Sequence, residues 1–134
     1  MSGNRSRQEV QVWACRCLAQ LCQGGGKAQA QAARSRATFY IGTALGNFSL
    51  SENLLQGACS ALIQICTKSF PNKELAVEGG APKHLLLALE TFEHREDLLI
   101  RILKALYYTV HECNLARWAI ADTGRLGILV ARRP

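Results

Sequence analysis

The sequence predicts an all-α chain assembled from a repeated helical unit, and three observations carry that prediction. The chain repeats itself every 44 residues without insertion or deletion: the run from Glu52 reads against the run from Glu96, and the run from Gln8 reads against the one from Glu52. Leu54, Leu55, Ala61 and Leu62 fall on Leu98, Leu99, Ala105 and Leu106, while Cys15, Leu18 and Cys22 fall on Cys59, Leu62 and Cys66. Within each run the apolar residues recur at the three-and-four spacing of a helix. Between runs, glycine and proline supply the stops. A period in the range of about 20 to 50 residues marks units that hide their apolar face only against their neighbours.

The elements follow in order. Gln8 to Cys22 is predicted helical on the stripe Val10, Ala14, Cys17, Leu18 and Leu21, and is stopped by Gly24, Gly25 and Gly26. An interrupted helical stretch covers Lys27 to Leu50, with Ile41, Ala44, Leu45 and Phe48 as its stripe; Gly42 and Gly46 either weaken it or allow a close crossing. Glu52 to about Lys68 is the next helix, closed by Pro71, which lacks the donor that a continuing helix needs. Asn72 to Val77 reads as a short helix ended by Gly79 and Gly80, and Pro82 opens another on Leu85, Leu86, Ala88, Leu89 and Phe92. After a polar turn, Glu96 to about Glu112 is a third long helix, and Asn114 opens a further unit through Trp118, Ile120, Gly124 and Val130.

Short helix, glycine turn, proline-started helix, polar turn, longer helix: with ELAVEGGAPKHLL and KALYYTVHECNLARWAIADTGRLGILV, this unit resembles the armadillo repeat. The resemblance covers residues 72–130, and residues 8–24 and 52–68 through the third helix. It implies a right-handed superhelical solenoid of armadillo-like three-helix repeats, about two complete units plus partial end units. The implied organisation is a polar tail (1–7), a repeat domain (8–130, with units at about 8–26, 27–70, 71–113 and 114–130) and a basic tail (131–134). Ser35 and Arg36 stand where Gly79 and Gly80 stand one unit later, which keeps the two-helix HEAT repeat as the alternative.

Composition narrows the function. No apolar run approaches the roughly 20 residues that span a bilayer, and no signal-peptide core follows MSGNRSRQE, so cytoplasm or nucleus is expected. The net charge is +6, of which +5 lies in residues 1–36, a basic end that attracts acidic surfaces without choosing among them. Of the six cysteines, two pairs are 44 apart and occupy repeat positions, so packing and not metal or redox chemistry is expected. Cys15 and Cys17 point about 200° apart on a helix and cannot ligate together. No phosphate loop, nucleophile elbow or HExxH motif is present. His111, Glu112 and Cys113 are successive at one helix end and cannot converge on one atom. The chain is therefore read as a non-enzyme with no catalytic residues, no metal and no cofactor.

What the resemblance implies is a concave face lined by the third helices. Peptide-binding armadillo repeats carry a Trp, Ala, Leu, any residue, Asn run there. Aligning Ala61-Leu62 and Ala105-Leu106, with Cys17-Leu18 in the same register, puts Arg16, Ser60 and Lys104 at the Trp position and Gln20, Gln64 and Tyr108 at the Asn position. With Arg101 one turn earlier, this set describes a basic groove for an extended acidic peptide, in which each glutamine amide both donates to and accepts from a backbone. The rival readings are a structural or regulatory segment of a larger protein and an RNA-binding helical repeat. Nucleic acid is not expected, since Tyr108 is the single aromatic at the groove positions; nor is membrane binding. Self-association through exposed ends is the remaining expectation on partners.

Overall fold

The computed structural model describes residues 2–130; Met1 and the expected tail 131–134 lie outside the described residues. Among the described residues there are nine helices and no strand: α1 (Ser2–Cys22), α2 (Gly26–Arg34), α3 (Ala37–Asn47), α4 (Glu52–Cys66), α5 (Phe70–Glu78), α6 (Ala81–Thr91), α7 (Glu96–Val110), α8 (Asn114–Asp122) and α9 (Gly127–Val130). Helices of like kind pack on one another, α1 on α4 and α4 on α7, α2 on α5 and α5 on α8, α3 on α6 and α6 on α9. The chain is thus all-helical, and its helices are layered in the order of the repeat.

The backbone keeps the same register. Left-handed residues recur at Arg36, Gly80 and Gly124, and again at Lys68 and Glu112, each set spaced by 44. Arg36 holds a conformation that suits glycine better. Its guanidinium in turn pairs with Glu78 at 3.3 Å and lies 4.7 Å from the Phe39 ring, contacts that glycine cannot make.

Local chemistry explains most boundaries. Ser51 caps α4 by accepting from the Leu54 N–H at 3.2 Å, and Glu52 in the first turn suits the positive end of the helix. Pro82 sits in the first turn of α6, where its missing donor costs nothing. Pro71 does the same for α5, so it starts a helix; α4 has already ended at Cys66. The segment expected as a tail is the opening of α1, which begins at Ser2.

Leu54, Leu62, Ile65, Leu85, Leu86, Leu89, Leu98 and Ile102 are fully buried and join α4, α6 and α7 into the core. Each contributes about 1.5–3 kcal/mol by leaving water. On α1 the buried face is Val12, Cys15, Ala19 and Cys22, against α4. Of the stripe read from the sequence, Val10, Ala14, Cys17 and Leu21 are exposed, and Leu18 is half-buried against the core. The helix is apolar on two sides: its internal periodicity selected mainly the uncovered one, whereas the 44-residue spacing of Cys15 and Cys22 from Cys59 and Cys66 marked the buried one.

Two polar devices tie successive layers together. The Gln29 amide donates to the Gln64 and Thr67 carbonyls, at 2.9 and 2.7 Å, closing the C-terminal end of α4. One period later, the buried Lys73 ammonium donates to the His111 carbonyl at the end of α7. Both donors satisfy carbonyls that a helix end leaves orphaned.

Candidate functional site

The expected groove residues come from α1, α4 and α7. Arg16, Gln20, Arg101 and Lys104 are exposed, whereas Ser60, Gln64 and Tyr108 are half-buried. Arg101 Nη1 donates to Ser60 Oγ at 3.1 Å, which fixes one cation over the seam between α7 and α4. Arg16 is held differently, its guanidinium 4.6 Å from the Trp13 ring.

Two surface clefts adjoin at Tyr108. One, of about 480 Å³, is lined by Ile63, Leu103, Lys104, Tyr107 and Tyr108. The other, of about 460 Å³, has Gln23, Gln29, Gln64, Lys68 and Tyr108 among its walls. Lys104, Gln64 and Tyr108 are thus brought together, and Arg101 and Ser60 pair with each other. Gln20 lines neither cleft. No Asp or Glu lines either one, so an anionic group entering meets cations, amides and a phenol without like-charge repulsion.

Three contributors escape a reading of the sequence. Lys68 sits in a left-handed turn just past α4, exposed and beside Gln64. Its only sequence signal is a charge immediately after a helix end. Tyr107 stacks on His111 with centroids 5.2 Å apart and meets Tyr108 edge-on. Gln29 has a signal in hindsight, its spacing of 44 from Lys73, which does the same work one layer on.

The titratable groups elsewhere are dispersed. Burial, and Lys83 beside it, hold the His84 imidazole below its ordinary pKa, and its ring rests against Gly46 and Gly80. That ring opens on a cleft of about 320 Å³ whose lining holds no carboxylate or thiol. His94 and His111 are exposed beside Glu93 and Glu112, at 3.5 and 3.6 Å. No group of three His, Cys, Asp or Glu among the described residues is placed to hold a metal ion. No helix among them is long and apolar enough to cross a membrane.

All six cysteines are free, and only Cys17 is exposed. Burial pushes the Cys15 thiol up to about 11 and those of Cys59 and Cys66 up to about 12. Thiolate is the reactive form. A thiol reagent at neutral pH should therefore label one site in dilute native protein, Cys17, and all six after denaturation, as counted by intact mass. Rapid labelling of Cys59 or Cys66 in the native state would contradict this packing. Comparison with family models, with curated proteins and with solved structures finds no match.

Proposed function

We propose that this chain is a non-catalytic interaction module, a right-handed armadillo-like solenoid whose third-helix face takes an extended acidic peptide. The supporting observation is the pair of clefts joined at Tyr108, which carry Lys104 and Lys68, have Arg101 anchored alongside, and hold no acidic wall residue. Gln64 and Gln23 add amides that both donate and accept, as an extended peptide backbone requires. The recurrence of left-handed residues at Arg36, Gly80 and Gly124 supports the solenoid reading, because one backbone turn then serves each unit. Free thiols suit a reducing compartment, so cytoplasm or nucleus is the proposed location.

The test is fluorescence anisotropy with a labelled Asp/Glu-rich peptide, its Lys-rich counterpart and a single-stranded RNA. The acidic peptide alone should bind, and Arg101→Glu with Lys104→Glu should weaken it about tenfold or more, the effect of about 1.4 kcal/mol. Unchanged affinity in the double variant rejects the groove. Preference for RNA with a steep salt dependence transfers the face to the nucleic-acid reading, since phosphate contacts release counterions.

A further inference from the structure

Each of α1, α4 and α7 has one face toward the layer before it and one toward the layer after it. On α4 the earlier-facing side includes Leu54, Gly57, Ala61 and Ile65; Gly57 lies against the Val12 carbonyl, Cys15 and Arg16 of α1. The positions 44 residues earlier are Val10, Trp13, Cys17 and Leu21, all exposed. Leu54 and Ile65 are 0% accessible, against 65% for Val10 and 69% for Leu21. The later-facing side runs the other way. Val12 on α1 is 6% accessible under α4, whereas Ile100, two periods on, is 57% accessible on α7 beside Leu103 and Tyr107. The two bare surfaces are therefore the two halves of a contact that the chain already makes twice, between α1 and α4 and between α4 and α7.

We propose that a second copy of this chain covers them head to tail, with α1 of the incoming copy packed on α7 so that the 44-residue register runs on from copy to copy. The polar devices of the inner layers carry over residue by residue. Arg95 pairs with Glu52 one layer before it. At the proposed junction Glu96 takes the place of Glu52, and Arg7 of the incoming copy takes the place of Arg95. Neither Arg7 nor Glu96 has an ion-pair partner among the described residues. Likewise Gln29 caps α4 through the Thr67 carbonyl, and Lys73 caps α7 through that of His111. The next donor in register is Arg117, and its acceptor is the carbonyl of Gln23 in the incoming copy. Trp13 of that copy corresponds to Arg101, which lies over Ser60; it would lie over Lys104, a cation on an aromatic face.

Charge chooses head-to-tail over head-to-head. Residues 1–36 carry +5, while residues 37–134 carry ten Lys and Arg against nine Asp and Glu, a net of +1. Two heads therefore repel far more strongly than a head and a tail. A heterologous contact of this kind leaves a free head and a free tail on every oligomer, so growth continues as an open chain.

Sedimentation of the 134-residue chain should show a mass average that rises with concentration without stopping at two copies. Trp13→Glu blocks the head and Ile100→Glu the tail; both side chains are exposed, so the fold is retained. Each variant alone should associate about 30-fold or more weakly, the usual effect of losing an interface anchor. Mixed in equal amounts, they should form a one-to-one dimer and stop, because one supplies the intact tail and the other the intact head. Arg7→Glu and Glu96→Arg should each weaken association and together restore it. Cys17, at the position of the buried Ala61 and Ala105, should become protected from thiol reagents as concentration rises. A monomer at every concentration, a plateau at the dimer mass, or a mixture of the two blocked variants that stays monomeric would overturn the proposal. The junction would cover Leu103, Lys104 and Tyr107 of one cleft, so sedimentation is run without peptide and peptide binding is read on the blocked monomeric variants, which keeps failure of association distinct from failure of peptide binding.

Discussion

Gly79→Ala should destabilise the protein by about 3 kcal/mol and lower its thermal midpoint by roughly 10 °C. A Cβ at Gly79 would stand 2.9 Å from both the carbonyl carbon and the Cα of Phe39, and one at Gly42 would stand 2.8 Å from the carbonyl carbon and oxygen of Gly79. The obstacles are backbone atoms and cannot rotate away, so α3 and α5 must separate, and with them the layer contact they make. Small-to-large changes in well-packed sites cost about 1–3 kcal/mol, with the upper end reserved for sites that cannot adjust. The effect is specific to this layer. Ser35 and Thr123 occupy the same repeat position, the first exposed and the second facing a cleft of about 410 Å³. Gly127, with nothing within 4 Å, is the control; Gly127→Ala should leave stability unchanged or raise it slightly. Urea unfolding of the three proteins checks this. A Gly79→Ala variant within about 0.5 kcal/mol of the parent, the range of an inconsequential surface change, would mean that the two backbones do not meet.

Much of the fold was legible because spacing encodes it. Leu54, Ala61 and Leu62 read against Leu98, Ala105 and Leu106, and each of the six is buried where the shared register puts it. Boundaries were less legible, for a local reason. Proline is forbidden inside a helix and welcome at its start, so Pro71 read as a stop although it opens α5. The face of α1 was legible only in part: the 44-residue spacing placed Cys15 and Cys22 at packing positions, and both are buried, but Val12 and Ala19 are as apolar as Val10 and Ala14, and only the position of α4 distinguishes them. At the candidate site, register placed Ser60, Lys104, Gln64 and Tyr108 on corresponding turns. It carries no information about a turn residue such as Lys68, whose position depends on a left-handed backbone, or about the reach of Arg101 to Ser60.

Asn72→Asp should cost about 4 kcal/mol near neutral pH, the second large effect, although it exchanges one amide nitrogen for oxygen and leaves no cavity. Asn72 is fully buried, and its Nδ2 donates to the Gln29 carbonyl at 2.9 Å, to Ser69 Oγ at 2.8 Å and, at 3.4 Å, to the Ile65 carbonyl. Its own carbonyl accepts from Thr38 Oγ1 at 2.6 Å, so the residue joins α2, α3, α4 and α5 at one point. A carboxylate there would face two carbonyl oxygens with no donor of its own. The cost of burial raises the folded pKa of the new carboxyl above its unfolded value of about 3.9. The folded state then binds more protons than the unfolded state, so stability falls as pH rises through that interval and partly returns below it. Asn72→Ala separates the polar loss from the shape. Ala28 and Ala116 occupy the same repeat position, so alanine fits, and this variant should cost about 2 kcal/mol without pH dependence, since it also removes an amide oxygen that has no partner among the described residues. Urea melts of both variants near pH 7 and near pH 4.5, about where a raised carboxyl regains its proton, distinguish the two. Equal losses at both pH values for Asn72→Asp would show that water reaches this point of the core and that the new carboxyl is not held there unsolvated.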